Sequence, residues 1–275
     1  MRLSPAHPRY ASLRVRARLA ELSRTGLVAP EGLIAHGRGE TFDYLLGERT
    51  SPSARRAEAS AAEWLRQARR PVLSVNGNVA ALAAPEVARL VRACPGLAVE
   101  VNLFHRTGPR ARAVARVLRE AGVPHPLGAR PTARIPGLPS DRAQVDRRGI
   151  LLADLCIVPL EDGDRTEALR AMGKKVISID LNPLSRTSQQ ADLPIVDELR
   201  RALAVIAEEL ERRPPLERTG RFARFDRRAA LAGALRTIGR NLRRAAAARP
   251  RSSGPRPRAS RRPVRGTAGR WHRTP

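Results

Sequence analysis

The residues able to do chemistry in this chain are mostly Arg, His, Asn and Asp, and they follow short apolar runs. His36-Gly37-Arg38-Gly39-Glu40 sets a permanent cation and an imidazole among glycines. Read as a flexible loop, it lets backbone approach a phosphate while the Arg38 fork donates to it. An ordinary surface turn has the same composition. Asn76-Gly77-Asn78 joins an apolar run to a helical one, and His105-Arg106 ends another apolar run. Arg134 and Arg142, in a Pro- and Gly-rich stretch, are candidates for binding an anion or are simply solvated. Asp162, Asp164 and Asp180 could hold Mg²⁺ together with substrate phosphates. A helix cap is the simpler role for Asp164. The chain has no GxxxxGK[ST], GxGxxG or GxSxG pattern. It shows no metal-ligand spacing, and Cys94 and Cys156 sit in apolar runs and read as buried thiols. Arginine-rich loops without a nucleophile suit chemistry by positioning and charge stabilisation, as in phosphoryl or nucleotidyl transfer.

The elements that must position these residues are strands and helices in alternation. Leu155 to Val158 is a short apolar strand, and Glu161-Asp162-Gly163-Asp164 breaks it. Thr166 to Met172 is helical in composition, and Gly173 is placed to end it. Val176 to Ile179 is a second strand, stopped by Asp180-Leu181-Asn182-Pro183. A polar loop runs on to Thr187. Strand, helix and strand with short connections make a βαβ unit and so a parallel sheet, whose ligands collect at the carboxyl ends of the strands. Pro71 to Val75 and Leu97 to Leu103 are further strands, each followed by a helix, Val79 to Arg92 and Ala111 to Ala121. Strand, Gly turn and helix at Asn76-Gly77-Asn78 is a phosphate-binding geometry, and also a common βα turn. Helices are expected over residues 7–26, 53–69, 197–211 and about 222–247, and a short strand at Ile195-Val196. Residues 123–149 form a loop too long to be a mere connection.

The chain has 275 residues and a formal charge of +26. From Arg213 onward there are 19 Arg against Glu217 and Asp226, so +17 lies there and +9 in residues 1–212. The expected organisation is one α/β domain over 1–248, its core at 7–212, followed by a disordered Arg- and Pro-rich tail, 249–275. A basic tail suits nucleic acid, although Arg-rich coding from a GC-rich genome gives the same composition. No stretch approaches a membrane span, and no apolar segment of a signal peptide is present, so a cytoplasmic protein is expected.

Several longer blocks carry a resemblance. HPRYASLRVR, GLIAHGRGETFDYLLGE, SVNGNVAAL, VEVNLFHRT, ARIPGL, VPLEDGDRTEAL and KKVISIDLNPLSRT, in that order over about His7 to Asp197, resemble the archaeal 4-phosphopantoate–β-alanine ligase family. Phe225 to Ile238 resembles its closing helix more loosely. The resemblance implies a homodimer with a Rossmann-like core. It implies a step of coenzyme A synthesis in which 4-phosphopantoate, β-alanine and ATP give 4′-phosphopantothenate, AMP and diphosphate. Activation by adenylation supplies AMP as leaving group, with arginines and Mg²⁺ as stabilisers. The family's ATP contacts fall here on Arg16, Arg38, Asp180, Leu181, Asn182, Arg186, Thr187, Glu198 and Leu199. Arg38 and Arg186 are the expected catalytic cations, Arg186 on the phosphates. The substrate's own phosphate is expected at Asn76, Gly77 and Asn78, with His105, Arg106 or Arg134. Two departures stand out. Glu198 and Arg227 each replace an Asn of the family, one beside ATP and one in the closing helix.

Overall fold

The computed structural model describes residues 4–248 apart from 8, 161, 214 and 215. Glu161, Pro214-Pro215 and the tail from 249 onward therefore lie outside the described residues. The strands are β1 (Pro71–Val75), β2 (Ala98–Val101), β3 (Ala133–Arg134), β4 (Gln144–Val145), β5 (Leu155–Pro159), β6 (Lys175–Ile179) and β7 (Leu193–Ile195). Five of them form one parallel sheet in the order β2-β1-β5-β6-β7. This is a doubly wound, Rossmann-like α/β fold. Its strand order reverses between β1 and β5, and the crevice outside such a reversal is where ligands bind. β1 and β5 are buried along their whole length, as a parallel sheet covered on both faces requires.

The helices are α1 (Tyr10–Arg24), α2 (Pro30–Leu46), α3 (Pro52–Gln67), α4 (Gly77–Ala93), α5 (Gly108–Glu120), α6 (Gly163–Ala171), α7 (Arg186–Gln190), α8 (Leu199–Glu211) and α9 (Arg227–Ala247). Alternation within the strands divides the core. Leu73, Val75, Ile157 and Ile177 pack with α3, α4, α5 and α8. Val72, Cys156, Val158 and Val176 face the other way, onto Leu169 of α6 and onto Ile135, Val145 and Ile150. Those last three belong to the long segment after α5, which is thus a cover for the second face of the sheet. Glu100 of β2 pins this cover: its carboxylate accepts the N–H of Asp146 and of Ile150, each at 2.7 Å. Burial pushes that carboxyl up to about 7 against these donors.

The strands and most helices stand where the sequence places them, and four expectations are corrected. The His36–Glu40 stretch is the middle of α2, not a loop. Two glycines cost a helix about 1 kcal/mol each relative to Ala. They are offset by Pro30 in the first turn, a left-handed Gly47 at the end, and Glu40 tied to Ser12 and Arg16 of α1. Residues 222–226 are not helical; α9 starts at Arg227, and Asp226 caps it by accepting from the Ala229 N–H. Phe222 instead lies against Trp64, ring centroids 5.4 Å apart, and the indole N–H donates to the Ala223 carbonyl. The polar loop through Thr187 contains the short helix α7, capped by Ser185. Asp164 does not cap α6: Asp162 holds the cap position, and its carboxylate turns to arginines instead of the helix N–H groups. In α9, beyond Arg227, Leu231, Ala234 and Ile238 pack on Leu46 and Val196.

Candidate active site

Two cavities open at the carboxyl edge of the sheet. The first, of about 290 Å³, lies beyond β6 between α2 and the start of α8. Asp180, Leu181 and Asn182 enter it from β6. The Asp180 carboxylate accepts the Asn182 N–H at 3.0 Å and the Ser185 hydroxyl at 2.5 Å. Burial pushes its pKa upward, while these donors and Arg38 pull it back. From α2 come His36, Arg38 and Gly39. Burial lowers the His36 pKa, with Glu40 and Glu198 opposing, which favours the neutral imidazole. Glu198 and Leu199 close the cavity at the start of α8. The Glu198 carboxylate accepts the N–H groups of Arg200 and Arg201, each at 3.1 Å. Glu198 is thus engaged in capping its own helix. Arg16 reaches the site through Glu40, its Nη2 lying 2.6 Å from the carboxylate.

The second cavity, of about 370 Å³, sits at the reversal of strand order. Asn76 caps α4, its side-chain oxygen accepting from the Val79 N–H at 3.0 Å. Gly77 and Asn78 follow on the first turn, where free N–H groups and a partial positive charge favour an anion. Two close approaches fix the wall. A Cβ on Gly77 would lie 2.3 Å from the Leu27 carbonyl, and one on Gly32 would lie 2.2 Å from the Asn78 side-chain oxygen. The Asn78 amide donates to the Gly32 carbonyl at 2.7 Å, joining α4 to α2. Arg110 of α5 and Arg142 supply cations. Arg110 donates to two carbonyls, Leu27 at 3.2 Å and His105 at 2.5 Å. Arg142 lies over the Phe104 ring, 5.4 Å from its centroid. His105 stands at the rim, exposed, 3.5 Å from Glu31. Arg38, Asn78 and Leu160 line both cavities and form the wall between them.

The structure brings together Arg38, Asp180, Leu181, Asn182, Glu198 and Leu199 in one cavity. It brings Asn76, Gly77, Asn78 and His105 into the other. Five expected residues line neither cavity: Arg16, which reaches the first only through Glu40, and four more. Arg186 is exposed and bound to Asp164 at 2.5 Å and Glu167 at 2.7 Å. Thr187 is buried and accepts the Asp162 N–H. Arg106 braces the Gly128 and Ala129 carbonyls. Arg134 is exposed on the β3–β4 ribbon. Arg110, by contrast, was missed by sequence reasoning. It is one Arg among several on α5, and only its place three residues after the capping Thr107 marks it.

A doubly wound α/β sheet with two cavities at its carboxyl edge defines, as a class, a Rossmann-like α/β protein with cavities where such folds bind their ligands. Comparison narrows the class. The model of the phosphopantothenate/pantothenate synthetase family matches residues 53–241, and the chain belongs to that family and is an enzyme of it. A 4-phosphopantoate–β-alanine ligase of Methanospirillum hungatei is 55% identical over 202 residues, 74% of this chain and 82% of the relative. One from Thermococcus onnurineus is 53% identical over 203 residues, 74% of this chain and 77% of the relative. One from Methanosarcina mazei is 46% identical over 244 residues, 88% of this chain and 96% of the relative.

Proposed function

We propose that this chain joins 4-phosphopantoate to β-alanine with ATP, through an acyl-adenylate. The 4-phosphopantoate carboxylate attacks the α-phosphorus and diphosphate leaves. The β-alanine amine then attacks the acyl carbon, AMP leaves, and a proton is released. Hydroxide is too poor a leaving group for an amine to displace directly, which is why the acid needs activation. The observation that carries the reading is the shared wall. A nucleotide in the first cavity and a phosphorylated acid in the second would meet at Arg38. An arginine there touches both reactants and stabilises charge that grows on the α-phosphate. Backbone and apolar groups at Leu181 and Leu199 suit the nucleoside, and the α4 N-terminus with Arg110 and Arg142 suits the substrate's phosphate monoester.

Mg²⁺ belongs to the proposal as a counter-ion carried on the nucleotide's phosphates. Asp162 and Asp164 do not fit as its ligands, since guanidinium groups already hold both carboxylates. No group of three or more His, Cys, Asp or Glu gathers for a metal among the described residues. A homodimer in the cytoplasm completes the proposal, with light scattering as the check on the dimer. No helix among the described residues is long and apolar enough to cross a membrane.

The test is AMP release from protein, ATP, Mg²⁺, 4-phosphopantoate and β-alanine. AMP should require the phosphorylated acid, and exchange of labelled diphosphate into ATP should require 4-phosphopantoate but not β-alanine. AMP formed equally well from unphosphorylated pantoate would overturn the substrate. Exchange that needs β-alanine would overturn the adenylate.

A further inference from the structure

Beneath the second cavity lies a polar cluster that touches neither cavity. Arg165, in the first turn of α6, is 3% exposed. Its Nε lies 2.6 Å from the Asp162 carboxylate. Its Nη1 donates to Ser74 of β1 at 2.6 Å and to Asn102 at the end of β2. One guanidinium thus ties together the carboxyl ends of β1, β2 and β5. A buried guanidinium with this many partners is costly to desolvate and costlier still to leave half satisfied.

Both arms of the cluster end on Arg142. The Asp162 carboxylate that faces Arg165 also forms an ion pair with the Arg142 guanidinium. The Asn102 side chain that accepts from Arg165 donates its amide to the Arg142 carbonyl at 2.9 Å. Arg142 is therefore gripped at its backbone and at its side chain by two groups that meet on a single buried arginine. Arg142 needs this grip, because it sits in the middle of a single 3-10 turn, Asp141–Ala143, in the long cover segment, outside any strand or α-helix.

We propose that Arg165 and Asp162 are positioning residues that hold Arg142 at the second cavity and so set the affinity for the substrate's phosphate without touching it. The proposal rests on reading the second cavity as the 4-phosphopantoate site. A planar guanidinium binds a phosphate through a fixed fork, so its aim matters as much as its charge. Lysine at position 165 would keep the charge but could not reach Ser74, Asn102 and Asp162 at once.

The experiment is a coupling cycle read by calorimetry of 4-phosphopantoate binding to the full chain, with α,β-methylene-ATP present. Asp162→Asn and Arg165→Lys should each weaken 4-phosphopantoate binding about tenfold and ATP-analogue binding less than about twofold. In an Arg142→Ala background each should add less than about twofold, because the residue they act through is gone. Equal losses for both ligands, or the full tenfold on top of Arg142→Ala, would overturn the proposal. If Arg165→Lys does not fold, Asp162→Asn reads the same coupling; if neither folds, the pair is structural and the proposal falls. Wild-type binding without AMP release would overturn the reaction and leave the positioning role standing. No wild-type binding of 4-phosphopantoate would overturn both.

Discussion

The two cavities share a wall and differ in how their charges are met. The first is lined by Glu40, Asp43, Glu48, Asp180 and Glu198 against Arg38, Arg200 and Arg201, beside His36. Many of these charges neutralise one another: Arg16 holds Glu40, Arg200 holds Glu198, and Arg201 bridges Asp43 and Asp197. What remains for a ligand, besides Arg38, Glu48 and Asp180, is backbone, amide and apolar surface. The second cavity has Glu31 as its one lining acid against Arg38, Arg110 and Arg142. Arg110 is held by neutral carbonyls, so its charge is oriented without being cancelled. Burial lowers its pKa, but a guanidinium keeps its proton at any physiological pH. Counting arginines does not locate an anion site in so basic a chain; the chemistry of what each arginine already touches does.

The sharpest way to break this division is at the wall. Arg38→Ala should lower kcat for AMP release by about 10²–10³, the loss typical of removing one donor to a developing oxyanion. A variant that raised the KM for ATP alone, with kcat intact, would put Arg38 in one cavity only. Next come reciprocal losses. Arg110→Ala should raise the KM for 4-phosphopantoate about tenfold and leave that for ATP within about twofold. Asp180→Ala should do the reverse if the first cavity holds the nucleotide, since the turn it organises lines that cavity. If both variants moved both constants together, the cavities would not be separate sites.

A third effect concerns stability and lies outside the lining of both cavities. Glu58 of α3 is fully buried, and no donor among the described residues points at its oxygens. Burial first, and the charge of Asp197 next, push its pKa up to about 9. A protonated Glu58 that donates to Asp197 satisfies both observations. The native protein then keeps a proton that the unfolded chain releases near the ordinary value of 4.5. Stability from this group is complete below about 4.5 and falls as pH rises from there toward 9. Glu58→Gln supplies a permanent donor of the same shape. It should raise Tm by at least about 3 °C at pH 8 and change it little at pH 5. A pH-independent difference between the two proteins would show that Glu58 is charged in the native state. The second cavity has no such dependence on Glu58, so its ligand affinity should be unaffected by the substitution.

How much of this was legible in the sequence follows from which forces decide each element. The strands were, because Val72-Leu73, Leu155 to Val158 and Val176 to Ile179 are short apolar runs stopped by Asn, Asp or Gly, and a buried parallel strand reads that way. The strand-end loops were legible for the same reason, and with them Asp180 to Asn182 and Asn76 to Asn78. The α2 helix was not. Its two central glycines argue locally for a loop, and what overrides them is contact with α1, which sequence spacing does not reveal. Arg165 was invisible too: in GDRTEAL it looks like any solvated helix arginine, and only the sheet above it makes it a buried tie.

Arg134 tests that lesson at the smallest scale. By sequence it and Arg142 are equals, two arginines of one Pro-rich stretch and both candidates for an anion. The fold separates them. Arg134 pairs with Gln144 across the β3–β4 ribbon, is exposed and lines neither cavity, whereas Arg142 lines the second and is bound to Asp162. Arg134→Ala should therefore change the KM for 4-phosphopantoate by less than about twofold, as surface substitutions away from a site do. Arg142→Ala should raise it about tenfold or more. Equal effects from the two substitutions would mean that charge anywhere on this segment suffices, and that the second cavity works as a diffuse basic surface instead of a built pocket.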